Sequence, residues 1–455
     1  MALHYSFSNV TPQIERLADM CVSNGAIDPE LYSKYEVKRG LRDINGKGVL
    51  AGLTEISEIV SYTIEDNEMI PCDGKLFYRG YNINDLVNGF GKDKRFGFEE
   101  TTYLLLFGKL PNKAELKEFC DLLADYRKLP TTFVRDIMMK SPSSDIMNSI
   151  ARGVLTLFSY DEYPNDTSIP NVLRQSLELI ALMPLIAVYG YQCKNYYLDG
   201  ESFIIHQPVA EYSTAQNILH LLRPDSKFTE LEAKVLDIAL VLHAEHGGGN
   251  NSTFTCRVLT SSGTDPYAAY SAAIGSLKGP RHGGANHKVI QMHQYIKDNV
   301  KNWDDEGEVA DFLRKILRKE AGDGTGLIYG MGHAVYTLSD PRAVILKQNA
   351  AKMAIGSEFE AEYRLLEMIE RLTPELFKEV KGDEKKMCAN VDMYSGFVYK
   401  MLGIPEDLFT PLFAVSRMAG WCAHRFEESM TGKRIIRPAY KSVSKEKAYI
   451  PLNNR

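Results

Sequence analysis

Apolar residues recur with the period of an α-helix over long parts of this chain. Between residues 228 and 246 they stand at intervals of 4, 3 and 4, which places them on one face of a helix. These positions are Leu231, Val235, Ile238 and Leu242. Thr229 and Glu232 have the spacing of a capping box and predict the start of this helix. The segments 111–126 and 359–372 repeat the pattern, so long amphipathic helices are expected to carry most of the chain.

Strand patterns are few and short in comparison. The segments 75–83 (KLFYRGYNI) and 202–207 (SFIIHQ) are the chief candidates. Strands do not alternate with helices along the chain, which disfavours a parallel α/β sheet and predicts an all-α fold. The most apolar stretch, 179–188, contains Pro184 and is much shorter than the ~20 residues that a membrane helix needs, so it predicts a buried core helix.

Composition and charge exclude several classes of protein. The chain has 455 residues, of which 44% are hydrophobic and 25% charged, as in ordinary globular domains, so disordered and collagen-like chains are excluded. A length well above ~250 residues predicts more than one domain. The 53 basic and 59 acidic residues give a net charge of −6, which provides no general attraction for nucleic acid or for an anionic membrane surface.

The cysteines and the first residues bear on location. Seven cysteines are scattered along the chain without a CxxC pair, which is typical of a reduced, intracellular protein without a structural zinc site. The first forty residues lack the basic start and apolar core of a secretory signal and the Arg-rich, acid-poor composition of a transit peptide. We therefore expect a cytoplasmic protein that has no membrane partner.

Histidine and glycine are concentrated in one region. Six of the ten histidines fall between residues 243 and 333, and this region also contains two glycine-rich stretches, 246–252 and 321–333. Neither stretch has the spacing of a phosphate-binding P-loop or of a dinucleotide fingerprint. They are either exposed loops or places where the backbone approaches a ligand closely.

A metal site is the first chemistry to consider in this region. His243 and His246 flank Glu245, but they are three residues apart, whereas the helical zinc motif HExxH places its histidines four apart. No pair of ExxH segments suggests a di-iron site either. The sequence therefore predicts no metal ligands.

Acid and base chemistry fits the region better. His282 precedes two glycines and a helix-like run, and a helix N-terminus would lower its pKa and keep it a neutral hydrogen-bond donor. A simple helix cap is the alternative interpretation of this residue. His333 and Arg342 share one segment that Pro341 constrains. Since arginine suits carboxylate recognition, the segment suggests a carbonyl substrate that carries carboxylates.

Three segments carry a resemblance to a known family. GPRHGGANH at 279–287, GMGHAVYTLSDPR at 330–342 and NVDMYSGFVYKMLGIP at 390–405 resemble the citrate synthase family, which includes the 2-methylcitrate synthases. Weaker similarity extends over most of the chain from about residue 40. The first forty residues have no explanation at this stage.

The resemblance implies three catalytic residues. Asp392 would be the general base that removes a methyl proton from acetyl-CoA, and His282 would stabilise the resulting enol. His333 would hydrogen-bond to the carbonyl of oxaloacetate and protonate it as the new C–C bond forms. From the residues alone, Asp392 is equally compatible with an Asx turn before the following Ser-Gly pair.

The resemblance also implies a binding site for oxaloacetate. His246, Arg342 and Arg417 would hold this substrate within one chain. Arg437 would come from the neighbouring subunit, which implies a homodimer with composite sites.

Contacts with CoA are implied at two places. The main chain just before His333 would contact the adenine of acetyl-CoA. This segment comprises Leu327, Ile328, Tyr329, Gly330, Met331 and Gly332. Lys385 or Lys386 would contact a CoA phosphate, although two adjacent lysines are also typical of a solvated surface.

Fold and function follow from the resemblance as expectations. A large helical domain would comprise residues 1–282 and 392–455, and a small helical domain, 283–391, would close over the acyl-CoA site. The activity would be the condensation of acetyl-CoA with oxaloacetate, followed by hydrolysis to citrate and CoA, without a separate cofactor. Alternatives are 2-methylcitrate synthesis from propionyl-CoA, a helical binding protein that has lost activity, and a metal hydrolase.

Overall fold

Helices dominate the chain, as its periodicity predicts. The computed structural model describes residues 9–43, 47–65, 68–333, 335–382 and 386–455. They belong to two compact units, Met1–Leu53 and Thr54–Arg455. In the first unit, α1 (Pro12–Gly25) and α2 (Glu30–Lys34) precede a 3₁₀ turn at Arg39–Leu41.

A small antiparallel sheet opens the second unit. Its strands are β1 (Ser57–Glu65), β2 (Glu68–Tyr78) and β3 (Tyr81–Asn82), paired in that order. The predicted strand at 75–83 is confirmed in part, because β2 ends at Tyr78 and a turn with positive φ at Arg79 and Gly80 separates it from β3.

The strand prediction for 202–207 is wrong. This segment has no regular secondary structure, and among the described residues its backbone pairs with no strand. Isolated hydrogen bonds hold the segment instead, and one of them runs from the Tyr189 hydroxyl to His206 O at 2.7 Å. A short apolar segment needs a neighbouring strand edge to become a strand, and the described residues offer none here.

The rest of the second unit is helical. Its α-helices are α3 (Ile83–Lys92), α4 (Phe98–Phe107), α5 (Lys113–Tyr126), α6 (Ile146–Leu157), α7 (Ile169–Lys194), α8 (Thr214–Leu222), α9 (Glu230–His243), α10 (Asn251–Ser261), α11 (Pro266–Lys278), α12 (Ala285–Asn299), α13 (Glu306–Leu317), α14 (Pro341–Ala354), α15 (Glu360–Lys381), α16 (Asp392–Met401) and α17 (Phe409–Thr431). Single turns of 3₁₀ or π helix lie at Val134–Met139, Phe158–Tyr160, Asn195–Asp199, Glu406–Leu408 and Leu452–Asn454.

Two long helices, α7 and α17, form the centre of the core. By length and composition, α7 with the turn that follows it is the described segment that could cross a membrane, and 83% of its most apolar window is buried inside the protein. The prediction of a buried core helix at 179–188 is therefore confirmed. Most of α17 is buried as well, including Arg417, His424 and Arg425.

Helix α9 begins where the capping box predicts. Thr229 Oγ1 accepts from Glu232 N at 3.2 Å, and Glu232 Oε2 accepts from Thr229 N at 2.6 Å. The predicted apolar face is wrong at Leu231, which is 48% exposed in the first turn, although Val235 and Leu242 are buried. From Ala233 onward α9 is buried on most sides, so one amphipathic face does not describe it.

Candidate active site

His282 lies in the turn between α11 and α12, just before α12 begins. Its Nε2 is 3.0 Å from Asn250 Oδ1 and 3.2 Å from Ser252 Oγ. Because Asn250 Oδ1 can only accept, Nε2 is its donor here, and the Ser252 hydroxyl donates to the same Oδ1 at 2.9 Å. Donation from Nδ1 to a substrate oxygen requires the other tautomer, in which the Ser252 hydroxyl donates to Nε2. Burial, and after it the charge of Arg417, lowers the pKa of His282 to about 4. The ring is therefore neutral near pH 7, and burial rather than the start of a helix is the main cause.

His333 lies in the loop before α14, where two backbone N–H groups hold its ring. Val335 N and Tyr336 N donate to its Nδ1 at 2.9 and 3.1 Å. Because Nδ1 accepts these bonds, the neutral ring carries its proton on Nε2. This Nε2 lies 3.5 Å from Nη2 of Arg342, so an imidazole donor and a guanidinium reach the same place.

Arg342 is buried at the start of α14, and Asp340 orients it. Asp340 caps the helix by accepting from Arg342 N at 3.0 Å. Its two carboxylate oxygens also accept from Nε at 3.0 Å and from Nη2 at 2.7 Å. Two parallel bonds of this kind fix the plane of the guanidinium, so the direction in which it can bind a ligand is set before the ligand arrives.

Arg417 is a buried cation whose outer donors have no protein partner. Its Nε donates to His243 O at 2.7 Å, and its guanidinium packs over the Phe413 ring at 4.7 Å. Both Nη atoms are buried, and no hydrogen-bond partner for them occurs in the described part of the chain. Burial lowers the pKa of Arg417 to about 10. Since an unpaired buried cation is costly, this arrangement indicates that an anionic ligand completes the site.

His246 supplies a second unsatisfied group nearby. It lies in the turn between α9 and α10, and its ring centroid is 5.3 Å from that of His333 and 5.7 Å from that of Tyr336. Its Nε2 is buried without a partner in the ranges described. Burial, and after it the charge of Arg342, lowers the pKa of His246 well below its ordinary value, so the ring is neutral.

Asp392 is the first residue of α16. Its backbone N donates to Asn390 Oδ1 at 2.9 Å, whereas its own Oδ1 is buried and finds no partner among the described residues. Burial raises the pKa of Asp392 to about 7, although the charge of Arg342 opposes this shift. A carboxylate with these properties is suited to accept a proton near neutral pH.

The glycine-rich loop is joined to the segment that leads to Asp392. Met331 and Ala389 form an antiparallel bridge. Asn390 N donates to Gly330 O at 2.8 Å, and Asn390 Nδ2 donates to Gly332 O at 2.8 Å. These bonds hold the predicted CoA-binding loop directly beside the predicted base.

Gly330 is needed for this close approach. Its φ of +82° lies in the left-handed region, and a Cβ there would come 2.8 Å from Met393 Sδ and 3.0 Å from Met393 Cα. Of its neighbours, Leu327 is 53% exposed and Ile328 is buried. Tyr329 is held by its hydroxyl, which donates to Asp323 Oδ2 at 2.6 Å.

Two of the predicted residues that the structure describes are not brought to this group. Lys386 is exposed before the segment that pairs with the loop, and Lys385 lies outside the described residues. Arg437 is exposed in the extended segment after α17. The described residues include no hydrogen bond or ion pair that ties Arg437 to the site.

Sequence reasoning missed several buried polar residues beside the site. Glu245 drew attention only as part of a failed zinc motif, yet its carboxylate is fully buried and bonded to His424. The interval of seven residues between Arg417 and His424 places both on one face of a helix and is a signal that could have found His424. Asn286, early in α12, is buried with both amide atoms unpartnered within the described ranges.

Comparisons with known proteins show the family of this chain. A family model described as citrate synthase, C-terminal domain, matches residues 41–439. A citrate synthase from Synechocystis sp. is 35% identical over 389 residues, which cover 84% of this chain and 89% of the relative. A 2-methylcitrate synthase from Shewanella oneidensis is 34% identical over 387 residues, which cover 84% of this chain and 92% of the relative.

Solved structures show the same fold. A citrate synthase from Thermoplasma acidophilum, solved as a ternary complex with carboxymethyl coenzyme A and oxaloacetate, superimposes with a TM-score of 0.75. It is 26% identical, and the match covers 92% of this chain and 100% of that one. A citrate synthase from Thermotoga maritima matches with a TM-score of 0.72 at 28% identity and covers 92% of this chain and 99% of that one.

Proposed function

This chain belongs to the citrate synthase family of acyl-transferring enzymes, and we propose that it condenses acetyl-CoA with oxaloacetate and hydrolyses the product to citrate and CoA. The observation that carries the proposal is the pairing of unsatisfied groups in one buried place. Within the described residues, Arg417 and His246 offer donors without partners, and Asp392 offers an acceptor without one. A dianionic keto acid and a weak carbon acid are substrates that such groups can use.

Oxaloacetate binding satisfies the buried donors first. The two Nη atoms of Arg417 suit one carboxylate of the substrate, and the guanidinium of Arg342, already oriented by Asp340, suits the other. Nε2 of His333 then lies beside Arg342, where it can donate to the keto oxygen. This polarises the carbonyl carbon that the new bond must reach.

Asp392 removes a proton from the methyl group of acetyl-CoA. An ordinary carboxylate faces a carbon acid weaker by ~15 pKa units, a gap on the order of 20 kcal/mol. Raising the pKa of Asp392 to about 7 narrows this gap by on the order of 4 kcal/mol. Donation from neutral His282 to the enol oxygen and exact placement of the electrophile supply further stabilisation.

Closure of the site is part of the proposal. Asp392 and His282 stand at the two ends of residues 283–391, the segment expected to form the small domain. A hinge movement there would shut water out during condensation and readmit it for hydrolysis of the thioester.

Release of free thiol from acetyl-CoA tests the function. With a chelator present, we expect release that requires oxaloacetate, because condensation precedes hydrolysis and no metal ligand takes part in it. Omitting oxaloacetate is the internal control. Absence of oxaloacetate-dependent release from acetyl-CoA and from propionyl-CoA alike would refute the proposal.

Propionyl-CoA is the second candidate substrate, since one of the similar proteins is a 2-methylcitrate synthase. A pocket distinguishes one methylene by only ~1–3 kcal/mol, so both thioesters are to be compared. We propose acetyl-CoA as the preferred substrate, with a larger kcat/KM than propionyl-CoA in the same assay. The reverse ratio would make the protein a 2-methylcitrate synthase and leave the chemistry unchanged.

We also propose that Arg437 completes the site of a second copy in a homodimer. Its exposure, and that of Ile435 and Val443 in the same extended segment, supports this placement. Refolding a mixture of Asp392→Asn and Arg437→Leu should therefore restore about a quarter of the normal activity, because half of the dimers then contain one intact site. A mixture of Asp392→Asn and Arg417→Met is the control and should stay inactive. Equal inactivity of both mixtures would contradict the composite site.

A further inference from the structure

A buried polar relay lies beneath the turn that carries His246. On α10, Arg257 approaches His424 of α17, with its Nε and Nη2 at 3.2 and 2.7 Å from Nδ1. Nε2 of His424 lies 2.8 Å from Oε1 of Glu245, the residue before His246. The side chains of His424 and Glu245 are completely buried.

The direction of these hydrogen bonds follows from their chemistry. A guanidinium can only donate, so Nδ1 of His424 accepts from Arg257 and the neutral ring carries its proton on Nε2. Nε2 then donates to Glu245. Burial opposes a charged Glu245, whereas the hydrogen bond from His424, the charge of Arg417 and the hydrogen bond from Ser57 lower its pKa.

Glu245 also binds the backbone of the turn that carries His246. Its Oε1 also accepts from Gly247 N at 2.5 Å and from Ser57 Oγ at 2.9 Å. The carboxylate of residue 245 thus holds the backbone of residue 247, and His246 stands between the two. The orientation of the His246 ring depends on this small loop closed by one oxygen atom.

One helix sets both sides of the proposed oxaloacetate site. Arg417, Gly420 and His424 succeed one another at intervals of three and four, which places them on one face of α17. A Cβ at Gly420 would overlap Ala244 O and the Glu245 carboxylate, so the helix presses directly against the turn. A shift of α17 would therefore move Arg417 and His246 together.

We propose that His424 and Glu245 are positioning residues that set the His246 ring for oxaloacetate. This inference rests on the proposed function, in which His246 and Arg417 bind that substrate. Neither His424 nor Glu245 touches the substrate in this account. Their contribution is to fix the neutral His246 ring from the Glu245 side of its turn, where the Tyr78 hydroxyl also holds the backbone by donating to Glu245 O at 3.0 Å.

Two substitutions of His424 separate positioning from simple packing. His424→Phe removes both hydrogen bonds, and we expect the KM for oxaloacetate to rise roughly 10- to 100-fold, as when outer partners of metal-binding residues are removed, while kcat changes less than about threefold. His424→Gln retains one acceptor and one donor, and it should bring this KM back to within about fivefold of the wild type. The KM for acetyl-CoA should change in neither variant.

His293→Phe is the matched control. His293 is also a buried histidine, on α12, and it is surrounded by Glu362, Lys297 and Lys400. Its replacement should lower the temperature of unfolding without changing the KM for oxaloacetate. An equal rise of this KM in His293→Phe and His424→Phe would show a general packing effect and overturn the inference.

Ser57→Ala gives an independent test if His424→Phe does not fold. It removes one of the donors to Glu245 Oε1 from the half-buried start of β1, and we expect the KM for oxaloacetate to rise about two- to fivefold at unchanged kcat. If the variants fold, the wild type turns over normally and the KM for oxaloacetate is unchanged, the inference about His424 and Glu245 is overturned while the proposed function stands. Absence of oxaloacetate-dependent turnover in the wild type would instead refute the proposed function.

Discussion

Replacing Asp392 with asparagine is expected to lower kcat by about 10³-fold, because an amide cannot accept the methyl proton at neutral pH. The substitution keeps the shape of the side chain, and Oδ1 has no hydrogen bond to lose among the described residues. Oxaloacetate affinity should therefore stay within about threefold of the wild type. Thiol release measures the first quantity, and titration calorimetry with oxaloacetate measures the second.

The pH dependence of the wild type follows from the same residue. Asp392 acts only when it is ionised, and its pKa in the unliganded protein is raised to about 7, so kcat/KM should fall with decreasing pH below that value and level off above it. His282, with its pKa lowered to about 4, stays neutral over this range and therefore causes no further change of activity with pH. The residual activity of Asp392→Asn should not show the decrease below pH 7 that the wild type shows. Near-normal turnover of this variant would show that another group is the base.

Much of this site is visible in the sequence because its residues lie in short motifs. His282 and His333 stand beside glycines, and local context is enough to make them candidates, whereas Asp392 is singled out only by the family resemblance of the segment 390–405. The cap of α9 at Thr229 is equally local, and the structure confirms it. Features that depend on three or four neighbouring positions are the ones that one sequence can reveal.

The rest depends on distant partners. Glu245 and His424 are 179 positions apart, and only the packing of α17 against the turn after α9 brings them together. The segment 202–207 contains the apolar run 203–205, as a short strand does, but among the described residues no strand edge lies beside it. An arginine in a sequence is usually a solvated charge, so the unpaired burial of Arg417 is a property of the folded chain that its own neighbours do not encode.

Replacing Arg417 with methionine is expected to stabilise the unliganded protein while abolishing oxaloacetate binding. The two buried Nη atoms have no partner in the described part of the chain, so the wild type bears the cost of a desolvated charge. Replacing such a charge by an apolar side chain of similar length should raise the free energy of unfolding by about 1–3 kcal/mol, and loss of the single bond from Nε to His243 O offsets part of this gain. Affinity for oxaloacetate should fall at least about 10²-fold, because the bidentate partner of one carboxylate is lost.

Calorimetric unfolding with and without oxaloacetate measures both effects. At a ligand concentration of about 100 times Kd, the wild type should gain about 2.7 kcal/mol, whereas Arg417→Met should gain almost nothing. Arg425→Met is the matched control on the same helix. Arg425 is also buried, but Nη1 donates to Thr260 Oγ1 at 3.1 Å and Nη2 to Thr264 O at 2.6 Å.

The two arginines should therefore respond with opposite signs. Arg425→Met leaves the Thr264 carbonyl without its partner and should lower the free energy of unfolding, while the gain from oxaloacetate stays near the wild-type value. If Arg417→Met instead destabilised the unliganded protein as much as Arg425→Met does, the Arg417 guanidinium would have to be satisfied before substrate arrives. An unpaired Arg417 guanidinium would then not be the source of the affinity for oxaloacetate.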